Sequence, residues 1–68
     1  MIIKGVISNI EGGKAEAYMP EKNNTVTAML PLARDIDTSS VNVGDKCVIA
    51  LFDADVINFA DGVIIAIY

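Results

Sequence analysis

The sequence predicts an all-β fold, a small five-stranded barrel built as one domain over residues 1–68. Three observations carry that expectation. Short runs alternate residue character with a period of two, turn-forming residues separate them at small intervals, and one longer aperiodic connection follows the third run.

The first run, Ile2 to Ile10, is rich in β-branched residues, which suit a pleated surface. Gly5 within it predicts a bulge or bend. Lys4 points to water before that kink, and the inward parity beyond it is left open. Glu11-Gly12-Gly13 supplies a tight turn, because adjacent glycines accept the positive φ of hairpin loops. Lys14 to Met19 then alternates, with Ala15, Ala17 and Met19 on one face and Lys14, Glu16 and Tyr18 on the other. A polar loop, Pro20 to Asn24, ends in an Asn pair that readily enters left-handed conformations. In the third run, Thr25 to Leu30, Val26, Ala28 and Leu30 alternate with Thr25, Thr27 and Met29, and Pro31 closes it for want of a ladder donor.

From Leu32 to Asn42 the period is lost. Leu32 to Ile36 has room for at most a helical turn, and Asp37-Thr38-Ser39-Ser40 carries side chains that turn the backbone, so this is a crossing loop. Val43-Gly44-Asp45 then reverses the chain into the fourth run, Lys46 to Phe52. Cys47, Ile49 and Leu51 share one face of it and Val48, Ala50 and Phe52 the other. The fifth run, Gly62 to Tyr68, sets Val63, Ile65 and Ile67 against Ile64, Ala66 and Tyr68. Between these two lies Asp53 to Asp61, read as an irregular loop, with a short strand over Val56 to Ala60 and an Asp61-Gly62 hairpin turn as the alternative. This order matches an OB-type barrel, an SH3-like barrel being the alternative.

Bulk properties narrow the function. A chain this short buries only about 60% of its unfolded surface, and a core of this size rarely supplies more than ~3–5 kcal/mol. One cysteine, Cys47, forms no internal disulfide, and without histidine there is no zinc site of the usual kind. Oligomerisation is the remaining support, and a 53% hydrophobic fraction points the same way. Acidic residues recur through the apolar runs and exclude a membrane-spanning helix, and the N-terminus is not that of a secretory signal. Synthesis in the cytoplasm is expected. Nine acidic residues against five basic ones give a net charge of −4, which repels phosphate on average and counts against nucleic acid as a partner.

Candidate chemistry is sparse. Asp53, Asp55, Asn58 and Asp61 fail the EF-hand pattern, since Ile57 stands where an oxygen is needed and Asn58 where glycine is needed; they read as solvated turn residues. Cys47 has no base and lies in an apolar strand, so it reads as an inert core thiol. Gly12-Gly13 lacks the spacing of a phosphate loop. The chain is expected to be no enzyme and to need no cofactor or metal. Tyr18, near Lys14 and Lys22, is the nearest approach to a nucleic-acid platform, while Phe52, Phe59 and Tyr68 fall among aliphatic or acidic neighbours.

An antiparallel sheet normally shows polar residues on its solvent face. Here the fourth and fifth runs are apolar on both faces. Val48, Ala50, Phe52, Ile64, Ala66 and Tyr68 therefore form a candidate self-association surface, and Val56, Ile57 and Phe59 a candidate partner-contact loop.

The segments Leu30-Pro31, Val43-Gly44-Asp45, Val48 to Phe52, Asp53 with Asp55, and Gly62 to Ile65 resemble the small OB-type domains of phage tail and baseplate hub proteins of the baseplate assembly protein V type. The likeness covers about half of the chain. It implies an oligomeric structural module that joins other proteins of a larger assembly and enters a virion. No spike region follows the barrel, so an assembly part rather than a membrane-puncturing one is implied. A second likeness, of residues 4–17 and 25–30 to the molybdate-binding Mop domain, implies oxyanion binding, but the Ser-Ala-Arg-Asn segment that precedes those strands in Mop domains is missing.

Overall fold

The structure, a computed structural model, describes residues 1–52 and 60–68. They form a six-stranded antiparallel sheet: β1 (Ile2–Glu11), β2 (Lys14–Met19), β3 (Thr25–Val26), β4 (Leu30–Pro31), β5 (Lys46–Leu51) and β6 (Gly62–Ile67), with 3₁₀ turns at Pro20–Lys22 and Thr38–Ser40. The order is β3-β2-β1-β5-β6, with β4 also pairing with β2. The all-β expectation holds, but the sheet is not closed into the expected barrel. Its two ends meet at a single parallel bridge, Leu32 to Ile64, where the Ala33 N–H donates to the Ile64 carbonyl at 2.8 Å. The chain then turns away, Ile36 N–H bonding back to the Ala33 carbonyl, so no ladder grows from that bridge. Among the described residues no helix is long and apolar enough to cross a membrane.

Alternation places the core. Ile3 and Ile7 of β1, Ala15, Ala17 and Met19 of β2, and Cys47, Ile49 and Leu51 of β5 are all buried, as a period of two requires of strands with one face inward. Ile10, Leu32, Ile36 and Ile67 pack against this cluster. The turns also follow from sequence. Gly12 and Gly13 take φ of 58° and 79°, and Asn23 and Asn24 take 58° and 59°. At Asn42 to Asp45, Gly44 takes φ 96°, the Asp45 N–H donates to the Asn42 carbonyl at 3.0 Å, and the Asp45 carboxylate accepts the Asn42 N–H at 2.8 Å. In the crossing loop Asp37 accepts from the Ser39 hydroxyl and N–H, and these bonds hold its carboxyl below the ordinary range.

Two expectations are corrected. Gly5 is not the kink of β1. It is buried opposite Cys47, where an added Cβ would lie 2.7 Å from Ile49 Cδ1, 3.1 Å from the Tyr18 carbonyl oxygen and 3.3 Å from Cys47 Sγ. Close approach of β2 and β5, rather than bending, demands glycine there. The irregularity falls instead between Ile7 and Asn9, where Ser8 is the extra residue.

The third run is likewise two short strands. Thr27 bonds to Ala17, yet Leu30 pairs with Ala15, so β2 advances two residues while its partner advances three. The extra residue reverses parity: Val26 is exposed, whereas Thr27 and Leu30 are buried. Thr27 bridges the break. Its N–H donates to the Ala17 carbonyl at 2.8 Å, its hydroxyl accepts the Ala17 N–H at 3.1 Å, and that hydroxyl donates to the Ala28 carbonyl at 2.8 Å. The side chain thus replaces a backbone ladder acceptor.

Thr27→Val keeps the shape but orphans a buried N–H, so it is expected to lower unfolding stability by about 1–3 kcal/mol. Thr27→Ser retains the hydroxyl and should cost clearly less. Urea denaturation of the three proteins checks the order.

Candidate functional site on the outer face of the sheet

The side chains that do not enter the core fall into rows across β1, β5 and β6. Ile2 pairs with Ala50, which pairs with Val63; Lys4 pairs with Val48, which pairs with Ala66. Below them Val6 pairs with Lys46, and the Tyr68 N–H donates to the Lys46 carbonyl at 3.0 Å. The rows exist because the ladders fix register, and register fixes which side chains stand together.

Of the expected self-association surface, Val48, Ala50 and Ala66 are half-buried on this outer side, while Phe52 and Tyr68 are 69% and 63% exposed. Ile64 is a correction: it is 0% exposed and belongs to the core. The cause is a register shift opposite Val48 and Ile49, where β6 advances from Ile64 to Ala66 while β5 advances by one residue. Ile65 becomes the extra residue, and alternation is interrupted at that point. Ile2, Val63 and Ile65 take the outward places that Ile64 does not. Ile2 was readable from Lys4, two residues on and outward-facing. Val63 and Ile65 had no such signal, because every residue from Val63 to Ile67 is apolar. Val56, Ile57 and Phe59 lie outside the described residues.

The upper part of the face is apolar, formed by Ile2, Val48, Ala50, Val63, Ile65 and Ala66 with Phe52 beside them. Seven residues, Met1, Ile2, Val26, Val43, Phe52, Ile65 and Tyr68, are the exposed large hydrophobics among the described residues; Ile2 joins this face through its pairing with Ala50, Ile65 is the bulge residue of β6, and Phe52 directly follows β5. The lower part differs. Lys4, Gly5, Val6, Pro20, Glu21, Lys46 and Tyr68 line a shallow cleft of about 230 Å³, and Tyr18 lines a neighbouring depression with Asn24 and Val26. Tyr68 therefore stands with two lysines, not only with aliphatic neighbours.

Cys47 lies on the opposite, core side. Burial pushes its thiol up to about 11, against a smaller opposing contribution from a hydrogen bond with the Gly5 backbone. It is protonated at neutral pH and points away from solvent, so it has neither the charge nor the access of a nucleophile. Among the described residues no three His, Cys, Asp or Glu side chains gather as a metal cluster.

Comparison with protein-family models, with curated proteins and with solved structures finds no match to this chain.

The raised thiol pKa has a signed consequence. The unfolded chain releases the Cys47 proton near 9 and the folded one near 11, so the folded state holds more protons between those values and stability falls as pH rises through that window. Melting temperature measured from pH 8 to about 11 should drop more steeply for the native protein than for Cys47→Ala, with equal slopes contradicting the burial of the thiol.

Proposed function

We propose that this chain is a non-enzymatic structural module that self-associates through the upper outer face of its sheet and joins other proteins in a larger assembly. The observation that carries the reading is the apolar patch on β1, β5 and β6, where an antiparallel sheet facing water ordinarily places polar residues. A second copy of the same chain is the occupant favoured by the size of the domain. A core this small benefits directly from further burial, and isologous association lets one patch cover another.

The OB-type architecture is part of this proposal. Taking β3 and β4 as one interrupted strand, five strand units run in the order 3-2-1-4-5, and the Leu32–Ile64 bridge brings units three and five together in parallel. That arrangement suits a partly open Greek-key barrel. With the sequence likeness to baseplate hub domains, it supports a role as a phage or prophage tail component carried into a virion.

Sedimentation velocity at tens of micromolar tests the reading: an assembled species is expected, and a stable monomer of 7.2 kDa overturns it. Ala50→Glu places an unpaired charge at the centre of the patch and should weaken association by about 100-fold or more. Ala50 points outward, so the variant should keep its fold. Ile65→Lys, at an exposed position, provides an independent variant, and retention of full assembly by both would place the interface elsewhere.

A further inference from the structure

The lower part of the same face carries chemistry that the proposed assembly role does not use. Val6 pairs with Tyr18 on one side and Lys46 on the other, and Tyr68 stands next to Lys46. One row across the sheet therefore reads Tyr18, Val6, Lys46, Tyr68. Three strand spacings separate its ends, about 14 Å at the usual interval. Lys4 joins Val6, Lys46 and Tyr68 around a single cleft, while Tyr18 lines the adjoining depression. Two rings thus flank a pair of ammonium groups, on a chain whose overall charge is −4.

We propose that this row binds a short stretch of single-stranded nucleic acid, with bases stacked on Tyr18 and Tyr68 and the intervening backbone phosphates held by Lys46 and Lys4. Stacking on aromatic rings is sequence-tolerant because every base has a π-face, and phosphate contacts act locally, within a Debye length of about 10 Å. The average field of the chain therefore matters less than the two lysines in the cleft. An acidic peptide would use the lysines but leave the rings idle; the spacing of two rings on one row favours the nucleic acid. Glu21, a carboxylate lining the same cleft, opposes phosphate and sets a limit on affinity.

The test is titration of the full chain with a labelled oligothymidylate of about ten nucleotides from about 0.1 M salt upward, where the Debye length is about 10 Å or less, followed by anisotropy and by tyrosine emission. The chain has two tyrosines and no tryptophan, so the emission reports Tyr18 and Tyr68 alone. Saturable binding with quenching is expected, with log K falling against log salt at a slope of about −1.4 for two phosphate contacts. Lys46→Ala should reduce that slope to about −0.7. Tyr68→Ala should weaken binding by about 5-fold to 150-fold, whereas Glu21→Gln should tighten it. Lys46, Tyr68 and Glu21 are exposed, so these variants leave the core untouched.

No saturable change up to about 1 mM oligonucleotide overturns the proposal. So does a salt slope unchanged by Lys46→Ala, or equal displacement by polyglutamate without loss of quenching. Sedimentation of the same samples reads self-association separately, so the failure of one role is distinguishable from failure of the other.

Discussion

The sheet depends on β1 being hydrogen-bonded along both edges, to β2 on one side and β5 on the other. That double pairing is possible at its centre because Gly5 has no Cβ. Any side chain there would meet Ile49, Cys47 and the Tyr18 carbonyl at once. The β1–β2 ladder is local and closes over two glycines, but the β1–β5 ladder joins residues far apart in sequence. Its hydrogen bonds continue past the strand ends, from Leu51 N–H to the Met1 carbonyl at 2.7 Å and from Ile7 N–H to the Asp45 carbonyl at 2.8 Å. Such a pairing costs loop-closure entropy before it returns any contact energy, so folding should be limited by bringing β5 onto β1.

How far the sequence could be read follows from where alternation is kept and where it is broken. Alternation alone groups Ala15, Ala17 and Met19 on one face of β2 and Cys47, Ile49 and Leu51 on one face of β5, and all six are buried. The turns were legible because their residues tolerate the conformations they adopt. Three single-residue irregularities, at Ser8, between Thr27 and Leu30, and at Ile65, were not. Each inserts one residue into one strand and exchanges inside for outside beyond it. A serine, an Ala-Met pair and an isoleucine carry no local mark of a bulge, because the cause lies in the partner strand. The same limit affected closure: whether strand three meets strand five depends on how the sheet curls, which no run of residues states.

The candidate face shows the same division. Val48 and Ala50 are recognisable in the sequence as outward and apolar, since β5 keeps strict alternation, whereas Ala66, grouped by alternation with Ile64, is outward because it pairs opposite Val48 beyond the bulge. Alternation misplaces Ile64 because the apolar character of β6 is the same on both sides of its bulge, so hydrophobicity holds no information about direction. The lysines near Tyr68 were invisible for a different reason. Lys4, Lys46 and Tyr68 are scattered along the chain, and their grouping comes from register across three segments.

The two parts of the outer face also need not compete. Ala50, at the centre of the apolar patch, and Lys46, in the basic row, are four residues apart on one strand, or about 13 Å. That separation exceeds the Debye length of about 10 Å in ordinary salt, so a phosphate at Lys46 would exert little force on a copy packed over Ala50, whereas Lys4, which pairs with Val48, stands at the boundary where the two parts meet. Burial of Ile2, Phe52 and Ile65 against a second copy would stabilise by the apolar area removed from water, about 25 cal/mol per Å². Lys46 and Tyr68 would stay at the rim of that contact, where charged side chains keep their hydration. A sheet with one apolar end and one basic, aromatic end can in this way serve association and recognition from a single face, provided the register set by β1 holds both rows in place.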